Sequence, residues 1–243
     1  MIEVAIILAI VAVAAFLVLR KDDAQDATLV MTVHGNSALA GGWFDGPTLR
    51  FYDPTPVQML RAKLPGLHIV DCTQNGLQLG EALDGGPVKR GQAVLGQTSA
   101  TCTSLRDLWM DHRPQVAYIA LAEVDALVRP DWKPEHLADE IDRAVATARE
   151  LGVLPILQGC IWFAEGGPVD AASLARVDEA NRVVLEHGYA LGVPVVDIRV
   201  TPFNPARDVC PDGLHPTGYM HERYTQTRAA AIAQILTTQG SQA

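Results

Sequence analysis

The sequence predicts an α/β protein, a five-stranded parallel sheet with helices on both faces. Three observations carry that prediction. Five short apolar runs recur along the chain, amphipathic stretches lie between them, and within each run the apolar residues are nearly continuous. A strand covered on one face alternates apolar and polar residues, whereas a strand covered on both faces reads as an unbroken apolar run. Strands that alternate with helices pair in parallel through crossover connections. At 243 residues the chain suits one domain of this class.

The runs, in order, are "TLVMTVH" (28–34), "LHIVD" (67–71), "QVAYIAL" (115–121), "VLPILQG" (153–159) and "VPVVDI" (193–198). After the third run, Leu137, Ile141, Ala144, Ala148 and Leu151 keep helical spacing. Pro134 just ahead of them suits a first helical turn, where its missing N–H is no loss. Leu174, Val177, Val184 and Leu191 mark a second helix over 171–191, and Ala229, Ile232 and Ile235 a final one. No internal repeat, low-complexity segment or second domain is visible.

The N-terminus stands apart. Val4 to Leu19, "VAIILAIVAVAAFLVL", carries no charge and ends at "RKDD". As a helix it spans roughly 24 Å. Ile2 and the snorkelling side chains of Arg20 and Lys21 extend it toward a bilayer core of about 30 Å. A core helix would show a polar face, and a cleaved signal peptide would have a basic segment before the run and a small-x-small site after it. Glu3 stands where that basic segment would be. The expected organisation is a transmembrane anchor at 1–21, with residues 2–19 in the lipid bilayer, a polar tether at 22–27 and one globular domain at 28–243.

Net charge is −9, with no Lys/Arg cluster, so a nucleic-acid surface is not expected. Cys72, Cys102, Cys160 and Cys210 form no C-x-x-C pair and have no ligand-like His spacing, which argues against zinc. They could be two disulfides or four buried thiols. Cys160 ends the fourth run and Cys210 lies just before Asp212. Adjacent strand ends would bring those loops together, and a Cys160–Cys210 bridge would persist only in an oxidising compartment. Arg20 and Lys21 on the C-terminal flank of the anchor favour the cytoplasmic side, but the expected location of the domain is extracytoplasmic, with that pair oxidised.

In a parallel sheet ligands bind beyond the carboxyl ends of the strands. Two loops there carry acyl-transfer chemistry. "HGNSALAGGW" places Ser37 on the turn after the first strand, and "PDGLHP" places Asp212 and His215 three residues apart between Pro211 and Pro216. One turn at that spacing lets the carboxylate meet imidazole Nδ1 and leaves Nε2 free to take a serine proton. The prolines limit the entropy lost in holding the pair aligned. Other features carry less. His34 reads as a strand-end residue, "EHLADEID" lacks H-E-x-x-H spacing, and "GLQLG" lacks the Lys-Ser/Thr of a phosphate loop. Trp43 and Trp162 fall on loops at the same edge, while Tyr219 and His221 read as surface or packing residues.

On these residues the sequence resembles the SGNH (GDSL-type) hydrolases, α/β serine esterases and lipases with a flavodoxin-like sheet. "VHGNSALAGGW" resembles their first block, with Asn36 where Asp is usual. "NGLQLG" (75–80) resembles the second, and "DGLHP" the fifth. The resemblance implies Ser37, His215 and Asp212 as a catalytic triad, with the N–H groups of Ser37 and Gly80 as an oxyanion hole. The third block, Gly-x-Asn-Asp, aligns with Ala122-Glu123-Val124-Asp125, so Val124 replaces an amide donor. Losing one such donor typically costs roughly 100- to 1,000-fold in rate. Asn75, Gln78 or Asn36 could substitute, the hole could rest on two backbone groups, or the fold could bind without turning over. The resemblance implies an ester hydrolase without metal or organic cofactor, acting on a small-molecule or glycan ester, which the expected N-terminal helix would anchor to the membrane. Small residues at Ala38, Ala40 and Gly41 favour a short acyl group. Acyl transfer to a sugar hydroxyl and a catalytically dead ester- or glycan-binding module are the alternatives.

Overall fold

All five predicted runs form strands of one sheet. A computed structural model describes residues 28–88, 101–129, 131–166 and 168–240; the expected anchor and tether lie outside the described residues. No helix among the described residues is long and apolar enough to cross a membrane. Numbered in chain order, the sheet strands are β1 (Leu29–Gly35), β4 (Leu67–Asp71), β7 (Val116–Ala120), β8 (Leu154–Gln158) and β9 (Val195–Val196). They pair in parallel in the order β4-β1-β7-β8-β9. The chain order reverses between β1 and β7, so the crevice of this sheet opens where those two strands end.

Side-chain alternation sorts the apolar runs into two layers. Met31, Val33, Tyr118, Ala120, Ile156 and Val196 face α2 (Pro56–Lys63) and α9 (Gly218–Gly240), meeting Val57, Leu60, Ala229 and Ile232. Ala117, Ile119 and Leu157 face the opposite layer, where Trp109 lies on α4 (Leu105–His112), Ile141 and Ala144 on α6 (Pro134–Glu150), and Val177 on α7 (Ala171–Ala190). Each large apolar side chain so buried contributes about 1.5–3 kcal/mol. Pro134 occupies the first turn of α6, as expected, and Asp170 starts α7 by accepting the Ser173 N–H at 2.7 Å.

Several short elements are absent from the sequence reading. Residues 35–43, read as a loop, hold the one-turn helix α1 (Ser37–Ala40), and the hairpin β2 (Gly42–Asp45) with β3 (Thr48–Phe51) follows. A four-residue turn is too short to show periodicity. Further on come α3 (Leu79–Asp84), the pair β5 (Gly86–Pro87) with β6 (Thr101–Cys102), α5 (Glu123–Val128) and α8 (Pro205–Asp208). The fifth strand is shorter than its apolar run, because Asp197 accepts the Arg199 N–H at 3.0 Å and turns the chain into a 3₁₀ turn over Ile198–Val200.

Candidate active site

Ser37 sits where β1 breaks into α1, and the break depends on Gly35 and Asn36. A Cβ on Gly35 would lie 2.7 Å from Leu39 Cβ, so only glycine lets the turn close. Asn36 is extended, and its Oδ1 accepts the Ala38 N–H at 3.0 Å, capping the turn. Gly41, left-handed with φ 77°, closes it. The serine is thereby presented at the crevice between β1 and β7.

The loop before α9 supplies the two partners. Cys210 N–H bonds the His215 carbonyl at 2.7 Å, and Gly213, with φ 70°, makes the tight turn between them. Asp212 Oδ1 accepts the N–H groups of Leu214 and His215 at 2.9 and 3.0 Å. Its Oδ2 meets His215 Nδ1 at 2.8 Å, and His215 Nε2 meets Ser37 Oγ at 2.9 Å. The structure therefore brings Ser37, His215 and Asp212 into one hydrogen-bonded line. Burial pushes the Asp212 carboxyl pKa up. The His215 ring and the backbone N–H groups of His215, Phe44 and Leu214 together outweigh it and hold the acid well below the usual carboxylate range.

Beside Ser37 lies an open cleft. Val124 and Leu127 of α5, with Ile161 and Phe163 after β8, give it apolar walls, while Asn36, Glu123 and His215 are the polar side chains that line it with the serine. The expected glycine, Gly80, does not line the cleft, whereas Gly76 of the same NGLQLG stretch does. Gly80 lies in the first turn of α3 against Glu140 of α6, whose Oε1 is 2.6 Å from where a Cβ would stand. The three candidate amides separate in the same way. Asn75 turns its Oδ1 toward Gly42, Gln78 caps α3, and Asn36 faces the cleft.

Spacing assigns Glu123 no role, although an acid in the strand exit "ALAEVDAL" is itself a signal. It is 2% exposed. Burial raises its pKa, against which the neighbouring Asn36 amide and the charges of Arg228 and Arg199 pull down. Deeper in the fold, Arg228 Nε and the Tyr118 hydroxyl both donate to Gln158 Oε1, at 2.7 and 2.8 Å.

His34 is buried behind the site and accepts the Trp109 indole N–H at 3.0 Å. Trp43 stacks on Tyr52 and Trp162 on Phe203; neither lines the cleft. Tyr219 is exposed beneath Arg207, while His221 is fully buried. The expected Cys160–Cys210 bridge is not formed, and all four cysteines are free. Cys160 packs in the core layer of α6 and α7, whereas Cys210 Sγ meets the Tyr52 hydroxyl at 3.0 Å and the Pro216 carbonyl at 3.3 Å. The two loops turn these side chains into different surroundings. Among the described residues no group of His, Cys, Asp or Glu is arranged to hold a metal ion.

No protein-family model matches the sequence, and no curated protein matches it. Solved structures do match its fold. A lipase/acylhydrolase from Enterococcus faecalis superposes with a TM-score of 0.60 at 17% identity, covering 84% of this chain and 95% of that one. A psychrotrophic esterase from Pseudoalteromonas gives 0.62 at 13% identity, covering 86% and 98%. A GDSL-like lipase from Bacteroides thetaiotaomicron gives 0.58 at 14% identity, covering 93% and 98%. The chain has the α/β fold of the GDSL-type lipases and acylhydrolases.

Proposed function

We propose that this protein hydrolyses a carboxylic ester through an acyl-serine intermediate on Ser37. The observation that carries this reading is the line from Ser37 Oγ through His215 to Asp212, at 2.9 and 2.8 Å. His215 Nε2 takes the Ser37 proton as Oγ bonds to the ester carbonyl carbon. The tetrahedral oxyanion is met by the N–H groups of Ser37 and, since Gly76 rather than Gly80 lines the cleft, of Gly76. Collapse breaks the bond to the alcohol oxygen, and His215 returns the proton to that leaving group. Water, deprotonated by the same imidazole, then releases the acid. Asp212 holds the ring in the tautomer that leaves Nε2 free to accept.

The shared fold with esterases and lipases supports a hydrolase, and the apolar walls of the cleft support a short or medium acyl group over a charged one. Anchoring through residues 2–19 rests on the apolar run Val4–Leu19. Val124, in the place of an amide donor, favours a second reading, in which the cleft binds esters without turning them over. A serine-directed fluorophosphonate separates the two. We expect one adduct, located on Ser37 by mass spectrometry and absent from Ser37→Ala. No adduct, or one on Ser99 or Ser104, overturns the hydrolase reading.

A further inference from the structure

Besides His215, two polar side chains from elements that the sheet brings together line the cleft with Ser37. Asn36 comes from the end of β1 and Glu123 from the start of α5, and both are 2% exposed and line the cleft. Asn36 Oδ1 is committed to the Ala38 N–H, which directs Nδ2 away from α1. Burial raises the Glu123 pKa and the neighbouring Asn36 amide offsets part of that rise, yet Asn36 Nδ2 and Glu123 Oε2 are both buried without a hydrogen-bond partner. A buried amide donor with no acceptor, one residue from a serine whose Oγ meets a histidine, lacks only a negative oxygen.

We infer that the Asn36 side chain is the oxyanion donor that Val124 cannot supply, and that Glu123 is the positioning residue that aims it; the inference rests on the ester-hydrolase reading. An amide nitrogen carries two N–H bonds. One is turned toward the Glu123 carboxyl, and the other toward the oxygen that becomes negative as Ser37 attacks. Arg228 and Arg199 are the charged groups that bear on Glu123, and both favour its ionised, accepting form. The pair also explains why Asn stands at position 36. An aspartate there would place two carboxyls in one buried site, where like charges oppose ionisation, and would leave no donor for the oxyanion.

The test uses the full chain and 4-nitrophenyl butyrate. Asn36→Ser keeps an oxygen for the Ala38 N–H but removes the amide, and serine caps as well as asparagine. We expect kcat to fall roughly 100- to 1,000-fold with KM little changed, because the contact forms only in the transition state. Glu123→Leu is expected to lower kcat about tenfold, and Glu123→Gln, which keeps an accepting oxygen, by less than about threefold. In the Asn36→Ser background Glu123→Leu should cost nothing further, because a positioning residue acts only through what it positions. An equal loss in both backgrounds would show a purely structural role for Glu123 and overturn the inference. So would Asn36→Ser that melts like the native protein and keeps kcat within about threefold. Should Glu123→Leu not fold, Glu123→Asp, which draws the carboxylate back by one methylene, takes its place in the same comparison. If the native protein takes no fluorophosphonate on Ser37, the hydrolase reading itself has failed. If it does and Asn36→Ser is unaffected, only the Asn36–Glu123 assignment has.

Discussion

Phe44 and His215 converge on one oxygen, the Phe44 N–H and the His215 ring Nδ1 each lying 2.8 Å from Asp212 Oδ2. The β2–β3 hairpin is thus tied by its backbone to the acid of the candidate site. With Leu214 and His215 N–H groups on Oδ1, the carboxylate accepts four hydrogen bonds. An isosteric amide cannot, because its nitrogen would face a donor.

Asp212→Asn is therefore expected to lower kcat by roughly 10³- to 10⁴-fold, as the imidazole loses the partner that selects its tautomer. The linkage runs in the usual carboxylate direction. The folded pKa lies below the unfolded value of about 3.9, so the stabilisation is full above that value and fades as pH falls through the folded one. In Asp212→Asn the melting temperature should lose its Asp212 share at neutral pH. Steady-state kinetics and thermal melts at pH 7 check both.

Acid should weaken the fold before Asp212 is protonated. Burial, helped slightly by His112, lowers His34 to about 3. Burial, with the charges of Arg228 and His215, lowers His221 to about 3. Both are neutral in the fold, whereas the unfolded chain takes up protons below about pH 6.5. The unfolded state therefore binds more protons between about pH 6.5 and 3, and stability falls as pH drops through that window by up to ~1.4 kcal/mol per pH unit for each histidine. Both ring nitrogens of His221 lack a partner. His221→Leu should raise the melting temperature more at pH 5 than at pH 8. An equal effect at the two values would mean that His221 does not titrate in this way.

Val124→Asn reports on the donor site. If the Asn36 amide already meets the oxyanion, the substitution should leave kcat of the native protein within about threefold and recover about tenfold in the Asn36→Ser variant. A large gain in the native background would show that the donor place is empty.

The two glycines should behave differently. Gly76 has φ 72° and lines the cleft, so Gly76→Ala introduces backbone strain of about 1–2 kcal/mol beside Ser37 and should lower activity. At Gly80 the added methyl meets the end of the flexible Glu140 side chain. Glu140, raised to about 7 chiefly by burial, can turn aside, so Gly80→Ala should keep kcat/KM within about threefold. The reverse order would return the backbone donor to Gly80.

Thiol alkylation of denatured protein, prepared without reductant, should modify all four cysteines. A mass consistent with a disulfide would restore the Cys160–Cys210 pairing and with it the argument for an oxidising compartment.

The sequence by itself determined the five strands, the long helices and the Ser37, Asp212 and His215 set. Each of these is written locally: strand and helix in side-chain periodicity, the Asp–His pair in a three-residue spacing, and Ser37 in its place after the first strand of a parallel sheet. Only the tertiary structure decided that the Phe44 N–H reaches Asp212, that Gly76 and not Gly80 borders the cleft, that Asn36 and Glu123 line the same cleft, and that Cys160 and Cys210 stay apart. These depend on which loops the crossovers lay side by side and on where each side chain or N–H then points. Contacts between residues far apart in the chain leave no period and no spacing along it.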